Sequence, residues 1–223
     1  MLTSTCVVRL ASLTFRHRNG FSSTWDLTVQ GKERYFIAEV GGNFHDVGSE
    51  DIHIGREGAN YGWPHCEGKC NSNKFPECSC SKHDMPIYNY EHHGNGACII
   101  GGTIYRGKAF PKKYQGAYFF GDFVQGTISM LTFDGDGSTK VSSSERFEWT
   151  PGDNPTEILS DNLGNIWSVQ PLASMRVPGR VIRVCPRPLA SVRPPSPAVV
   201  CRWPAASADN MRPRMQNPRH AGT

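Results

Sequence analysis

The chain has 223 residues with 23 glycines, 16 prolines, 10% aromatic and 20% charged residues, which suits a turn-rich all-β domain and excludes a helical bundle. A net charge of +4 would ordinarily suggest nucleic acid or an anionic membrane as partner. That excess sits in the last stretch: from Arg176 onward there are nine arginines, no lysine and a single acid, Asp209, leaving 15 basic and 19 acidic residues in the body, so the charge argument for both partners falls away.

Along the chain, residues 1–15 have an apolar flavour, but Arg9 interrupts them and no basic segment precedes them. They are expected to form a strand rather than a signal peptide. Residues 25–29 are expected to form the next strand. Three aromatic and β-branched runs, expected as the first strands of their repeat units, then recur at 35–39, 118–122 and 166–170. Each is followed after a turn by an alternating strand, at 51–54, 127–131 and 180–184. Residues 98–105 are a further strand. Phe36, Phe119 and Trp167 mark the repeat at offsets of 83 and 48 residues, and the longer interval holds a cysteine-containing insertion.

A period near 45–50 residues is that of a propeller blade, although a β-sandwich also satisfies regular strands and turns. The expected fold is all-β, a partial six-bladed β-propeller of about three four-stranded blades. Three blades do not close a ring and would leave edge strands open, so the chain is expected to be a fragment, a truncated gene product or part of a larger assembly. Residues 1–185 are assigned to the propeller. Residues 186–223, rich in Pro and Arg and without periodicity, are expected to form a disordered tail.

Four of the eight cysteines, Cys66, Cys70, Cys78 and Cys80, crowd into one loop. Disulfides in an oxidising compartment are the simpler reading. A zinc site and free thiols are the others, and C-x3-C-x7-C-x-C matches the usual paired zinc knuckles poorly.

The most specific stretch is Ser49-Glu50-Asp51-Ile52-His53-Ile54-Gly55 followed by Gly58-Ala59-Asn60-Tyr61-Gly62-Trp63-Pro64. Upstream stands Arg18-Asn19. Downstream come Gly101-Gly102-Thr103-Ile104-Tyr105-Arg106-Gly107 and Phe110-Pro111. Together these resemble the glucose/sorbosone dehydrogenase family, whose members write an Arg-Asn-Pro turn, an acid-Ile-Asn before Gly-x-Asn-Tyr-Gly-Trp-Pro, and Gly-Gly-x-x-Tyr-Arg-Gly before Phe-Pro. The resemblance runs from about Arg18 to Val184, about half of a family propeller.

The resemblance implies sites residue by residue. Arg18 and Asn19 stand where relatives hold pyrroloquinoline quinone (PQQ), and a guanidinium fork can pair with a quinone carboxylate. Gly41 and Gly42, with Asn43, stand where backbone carbonyls meet the calcium beside the quinone. Asp51 and Tyr61 reproduce the spacing of an acid and a Tyr carbonyl that bind calcium, which takes six to eight oxygens. The implied reaction oxidises a sugar C1 hydroxyl with a histidine as base. That histidine belongs to an earlier blade, so no catalytic residue is assigned among His17, His45, His53, His65, His83, His92, His93 and His220, and the chain alone is expected to be inactive. His92 and His93 are a further candidate metal pair.

Three departures weaken the implied quinone contacts. A glutamine of some relatives is Val40 here, a lysine is replaced by Val124 or Gln125, and an arginine-rich turn reads Asn154-Pro155-Thr156-Glu157. The resemblance therefore implies either a PQQ- and calcium-dependent aldose dehydrogenase or a non-catalytic extracellular propeller, as in the hedgehog-interacting-like proteins. The expected partners are accordingly a sugar or an extracellular molecule, without nucleic acid or a membrane span, in an extracellular or periplasmic setting.

Overall fold

Strands are set by the aromatic and β-branched runs. The computed structural model describes residues 21–28, 31–42, 48–70, 75–92, 94, 96–149, 154–170 and 180–184. A first antiparallel sheet runs in the order β1 (Phe21–Leu27), β2 (Glu33–Glu39), β3 (Ser49–Ile54) and β4 (Tyr88–Glu91). A second repeats it with β5 (Ile99–Ile104), β6 (Tyr118–Asp122), β7 (Thr127–Phe133) and β8 (Val141–Trp149). A third contains β9 (Glu157–Ser160), β10 (Ile166–Gln170) and β11 (Arg180–Val184). Each is an up-and-down meander. β1 packs beside β5 and β5 beside β9, so the first strands of the three sheets lie side by side, as the inner strands of propeller blades do.

Two expectations need correction. The aromatic runs at 35–39, 118–122 and 166–170 are the second strands of their sheets, each preceded by β1, β5 or β9. Among the described residues the third sheet has three strands rather than four. The tail at 186–223 and the strand expected at 1–15 lie outside the described residues.

Alternation explains how the sheets stack. On β6, Tyr118 and Phe120 point to the first blade and meet Phe36, Ala38 and Ile52, while Phe119 points to the third blade and shares a cluster with Ile158, Ile166 and Val184. Phe36 stacks on Tyr118 at 4.8 Å. Each such side chain taken wholly from water contributes about 1.5–3 kcal/mol, so the two interfaces hold the blades together.

The Gly-Gly-x-x-Tyr-Arg-Gly stretch is part of this packing. The β5–β6 register shifts between Ile100 and Thr103, at the glycine pair. The Tyr105 hydroxyl donates to the Gly164 carbonyl at 2.9 Å and accepts from the Phe110 N–H at 2.7 Å, so the motif tyrosine ties the second blade to the third. Arg106 reaches back to Asp26 on β1, at 3.1 and 2.9 Å. Tyr105→Phe is expected to cost about 1–3 kcal/mol by orphaning these groups, measurable by urea unfolding.

Candidate functional site

β2 and β3 pair so that Glu39 stands directly opposite Asp51, and Ile37 opposite His53. The neighbouring positions Phe36, Ala38 and Ile52 face the second blade, so these four residues occupy the other face of the first sheet. Like charges directly opposite one another destabilise a ladder, and here both carboxylates are buried.

The segment after β3 roofs them. Glu67 Oε1 accepts from the Gly42 N–H at 2.9 Å and the Ser49 N–H at 2.7 Å. The Gly68 N–H donates to Asp51 Oδ2 at 2.8 Å, and Ser49 Oγ donates to Asp51 Oδ1 at 3.0 Å. Gly68 adopts φ +66°, which glycine tolerates and a side chain rarely does. The roof is stapled by Cys66–Cys78 and Cys70–Cys80, so the four loop cysteines pair among themselves as expected of disulfides.

Burial holds the Asp51 carboxyl well above the usual carboxylate range, and the charges of Glu39 and Glu67 add to that. Burial raises Glu67 as well, against hydrogen bonds from Ser49 and Gly42. Glu67 Oε2 is buried without a hydrogen-bond partner, as is His53 Nδ1. The other ring nitrogen of His53 lies 3.3 Å from Glu39 Oε2 and 3.9 Å from Asp51 Oδ2, and the ring packs 4.6 Å from that of Tyr61. Three desolvated carboxylates, one with an unpartnered oxygen, concentrate negative charge here, which favours a cation such as calcium, although their oxygens do not all lie within 4.8 Å of one another.

The sequence-derived candidates fall around this cluster. Asp51 is inside it. The Tyr61 hydroxyl donates to the Ile54 carbonyl and accepts from the Arg56 N–H, both at 3.1 Å, while its ring borders His53. Gly41 and Gly42 form the edge: the Gly41 N–H donates to Glu50 Oε1 at 3.2 Å, and Gly42 is held by Glu67. Glu50 also accepts from the Ile99 N–H at 2.6 Å and pairs with His92 at 2.7 Å, which anchors the glycine turn to the second blade. His92 is thus committed to Glu50, and His93 lies outside the described residues with Arg18, Asn19 and Asn43. No sequence motif singles out Glu39 or Glu67. Glu67 follows a cysteine in a loop, and Glu39 meets Asp51 only through strand register.

Toward a carboxylated quinone three of the positions singled out by sequence offer no cation. Val40 is apolar, Val124 is apolar and exposed, and the Asn154 side-chain amide is turned to the Phe123 carbonyl. His65 pairs with Glu77 at 2.7 Å, and His83 lies against Cys66. Cys98, the free cysteine among the described residues, sits beside Glu50 and Asp122, where burial pushes its thiol up to about 11. At pH 8 it should hold about a hundredfold less thiolate than an ordinary cysteine. Its alkylation by iodoacetamide should be correspondingly slow, as timed by mass spectrometry.

The family model for Glucose / Sorbosone dehydrogenase matches residues 14–170. A glucose dehydrogenase structure is similar at 23% identity and a TM-score of 0.54, over 72% of this chain and 43% of that one. The apo soluble aldose sugar dehydrogenase of Escherichia coli is similar at 20% identity and 0.54, over 74% and 45%. The PQQ-bound aldose sugar dehydrogenase of Streptomyces coelicolor is similar at 17% and 0.52, over 75% and 43%. The chain spans less than half the length of these relatives, and the likeness establishes the fold.

Proposed function

Because the chain belongs to the glucose/sorbosone dehydrogenase family, we propose that it is part of a PQQ- and calcium-dependent aldose dehydrogenase-like protein of an extracellular or periplasmic compartment. The observation that carries this reading is the buried Asp51 carboxyl of the acid-Ile motif, with the buried Glu39 opposite it and Glu67 above it. When bound, the quinone supplies a two-electron acceptor and calcium supplies Lewis acidity for oxidation of a sugar C1 hydroxyl.

Asp51, with the Tyr61 carbonyl, would hold calcium, and the Glu39 and Glu67 carboxylates complete the charge around it. Glu67 transmits the position of that cluster to Gly42 through one hydrogen bond, and Glu50 fixes Gly41 from the other side. The glycine turn that would face a second calcium beside the quinone is therefore held at both residues. Arg18 and Asn19 would clamp a quinone carboxylate, while Val124 and Asn154 leave that clamp with fewer partners. Of the described histidines, His53 and His92 are buried against carboxylates, and none is assigned the proton transfer from the sugar. The base is assigned to another blade. Two disulfides in one loop support an oxidising compartment, and no helix among the described residues is long and apolar enough to cross a membrane.

Supplied with PQQ, calcium and an aldose, the chain alone is expected to give no sugar-dependent dye reduction. The same residues preceded by the upstream blades of a relative should turn over, and Arg18→Ala should abolish that turnover. A longer protein that stays inactive and binds no quinone would overturn the dehydrogenase reading.

A further inference from the structure

The first two blades do not close completely on each other. Between β4 of the first and β6, β7 and β8 of the second lies a cavity of about 280 Å³. Strand register lays out its floor: Phe120 stands opposite Ser129 and Ser129 opposite Arg146, while Asp122, two residues beyond Phe120, stands opposite Thr127. Residues paired across strands share a face, and Phe120 faces the first blade, so the whole set faces it. Tyr88 and Tyr90 on β4 form the opposite wall. The rings of Tyr88, Tyr90 and Phe120 lie 5.8, 6.2 and 6.5 Å apart and tilted, not stacked.

Nearer the inner strands the same two faces are sealed by Phe36, Tyr118 and Leu131. Toward β8 the apolar series stops, and Thr127, Ser129 and Ser144 take its place. A face that served only to seal would gain by continuing with large apolar side chains, whereas these small residues leave space and line it with hydroxyls. Thr127 is 4% exposed, and its hydroxyl has no hydrogen-bond partner among the described residues. A polar group so enclosed calls for one. Beside it the acceptor Asp122 is fixed in place: Oδ2 accepts from the Tyr90 hydroxyl at 2.6 Å and the Cys98 N–H at 3.2 Å, and Oδ1 from the Gln125 N–H at 2.7 Å. The Tyr90 oxygen is thereby oriented, with its lone pairs left to accept. Arg146 is exposed and forms no ion pair among the described residues, so its donors stand at the mouth of the cavity.

Both signs of charge meet in this small space. An anion entering it would face Asp122 and Glu145, and a cation would face Arg146. An uncharged polyol meets neither penalty: its hydroxyls accept from Arg146 and Thr127 and donate to carboxylate and Tyr90 oxygens. The aromatic faces, negative at their centres, suit the weakly positive C–H face of a sugar ring. The volume lies just under the roughly 300 Å³ at which ordinary ligand pockets begin, which fits one ring and not a chain. We propose that the cleft between the first two blades binds a single uncharged sugar ring, packed on Tyr88 and Tyr90 and hydrogen-bonded to Thr127 and Arg146. Binding there needs neither quinone nor calcium, so the inference does not rest on the dehydrogenase reading.

The probes are the methyl α-pyranosides of glucose, galactose and mannose, whose blocked C1 hydroxyl keeps them out of any oxidation at that carbon. They are titrated into the full chain in chelator and without quinone, and binding is read by saturation-transfer NMR. At least one should bind, with a dissociation constant of about millimolar order for so few atoms. Thr127→Val keeps the side-chain shape and removes the hydroxyl, and Arg146→Ala changes an exposed position. Each should weaken binding about tenfold while the chain melts as before. The uronide and the 2-amino glycoside of the same ring, which carry opposite charges, should both bind more weakly than the neutral pyranoside. Binding of none of the three pyranosides, unchanged affinity in both variants, or tighter binding of either charged analogue would each overturn the assignment. The dehydrogenase reading is judged separately, by turnover with quinone and calcium.

Discussion

Asp26→Ala should destabilise the chain by about 3–5 kcal/mol, among the largest effects expected of a single substitution here. Asp26 is 4% exposed, and its Oδ2 accepts from Arg34 Nε and Nη2 at 2.9 and 2.7 Å and from Arg106 Nη2 at 2.9 Å. The Arg34 guanidinium is buried between the rings of Phe36 and Phe133, 5.1 and 4.9 Å from their centroids, and its other strong contact is the Ser138 carbonyl at 2.6 Å. Removing the carboxylate strands that charge away from water. It also releases the Arg106 clamp between the first two blades. Asp136→Ala is the control: Asp136 pairs with the same Arg106 at 2.6 Å, but the pair is partly exposed, so its loss should cost about 1 kcal/mol or less. Denaturant unfolding of the two variants checks both. Equal losses would mean that stranding the buried Arg34 charge is not what makes Asp26 costly to remove.

Gly102→Ala should cost about 3 kcal/mol, the upper end for overpacking. A Cβ at this position would overlap the Phe119 carbonyl oxygen and press on Ile158 Cβ at 3.2 Å. The first obstacle is backbone of the neighbouring strand, so no rotamer change relieves it. The second belongs to the third blade. The Ala variant should therefore unfold at lower denaturant and lose the shared Tyr105–Ile158 cluster first, seen as earlier hydrogen exchange in β9 and β10. A variant as stable as the unaltered chain would show that the β5 irregularity at Ile100–Thr103 can move freely.

What is legible in the amino-acid order follows from period and composition. Runs such as 35–39 and 118–122 are buried on both faces and dense in Phe, Tyr and Ile, so they stand out as strands. β5 and β9 do so less clearly, because Ile-Ile-Gly-Gly-Thr-Ile and Glu-Ile-Leu-Ser are short, and their role as inner strands comes from the neighbouring blades. Reading from the aromatic runs alone consequently places them one strand too early in each blade. Asp51 is found by its motif, but Glu39 and Glu67 join it through a cross-strand register and a stapled loop, neither of which a linear spacing encodes. Spacing also leaves the cysteine pairing open, since four cysteines allow three connectivities. Arg106 belongs to a family signature, yet its partner Asp26 lies 80 residues away.

Calcium binding by Asp51 is measured most directly by thermal melting of the full, oxidised chain in chelator and in calcium. A cation that binds the native state alone adds about 2.7 kcal/mol at one hundred times its dissociation constant, so the unaltered chain should melt higher in calcium and Asp51→Ala should lose that response. Glu67→Gln gives the sharper pattern. In chelator it should melt above the unaltered chain, because it removes a buried charge whose Oε2 has no partner, and in calcium it should melt below it. Identical calcium responses in the unaltered chain, Asp51→Ala and Glu67→Gln would contradict the metal site on which the functional reading rests.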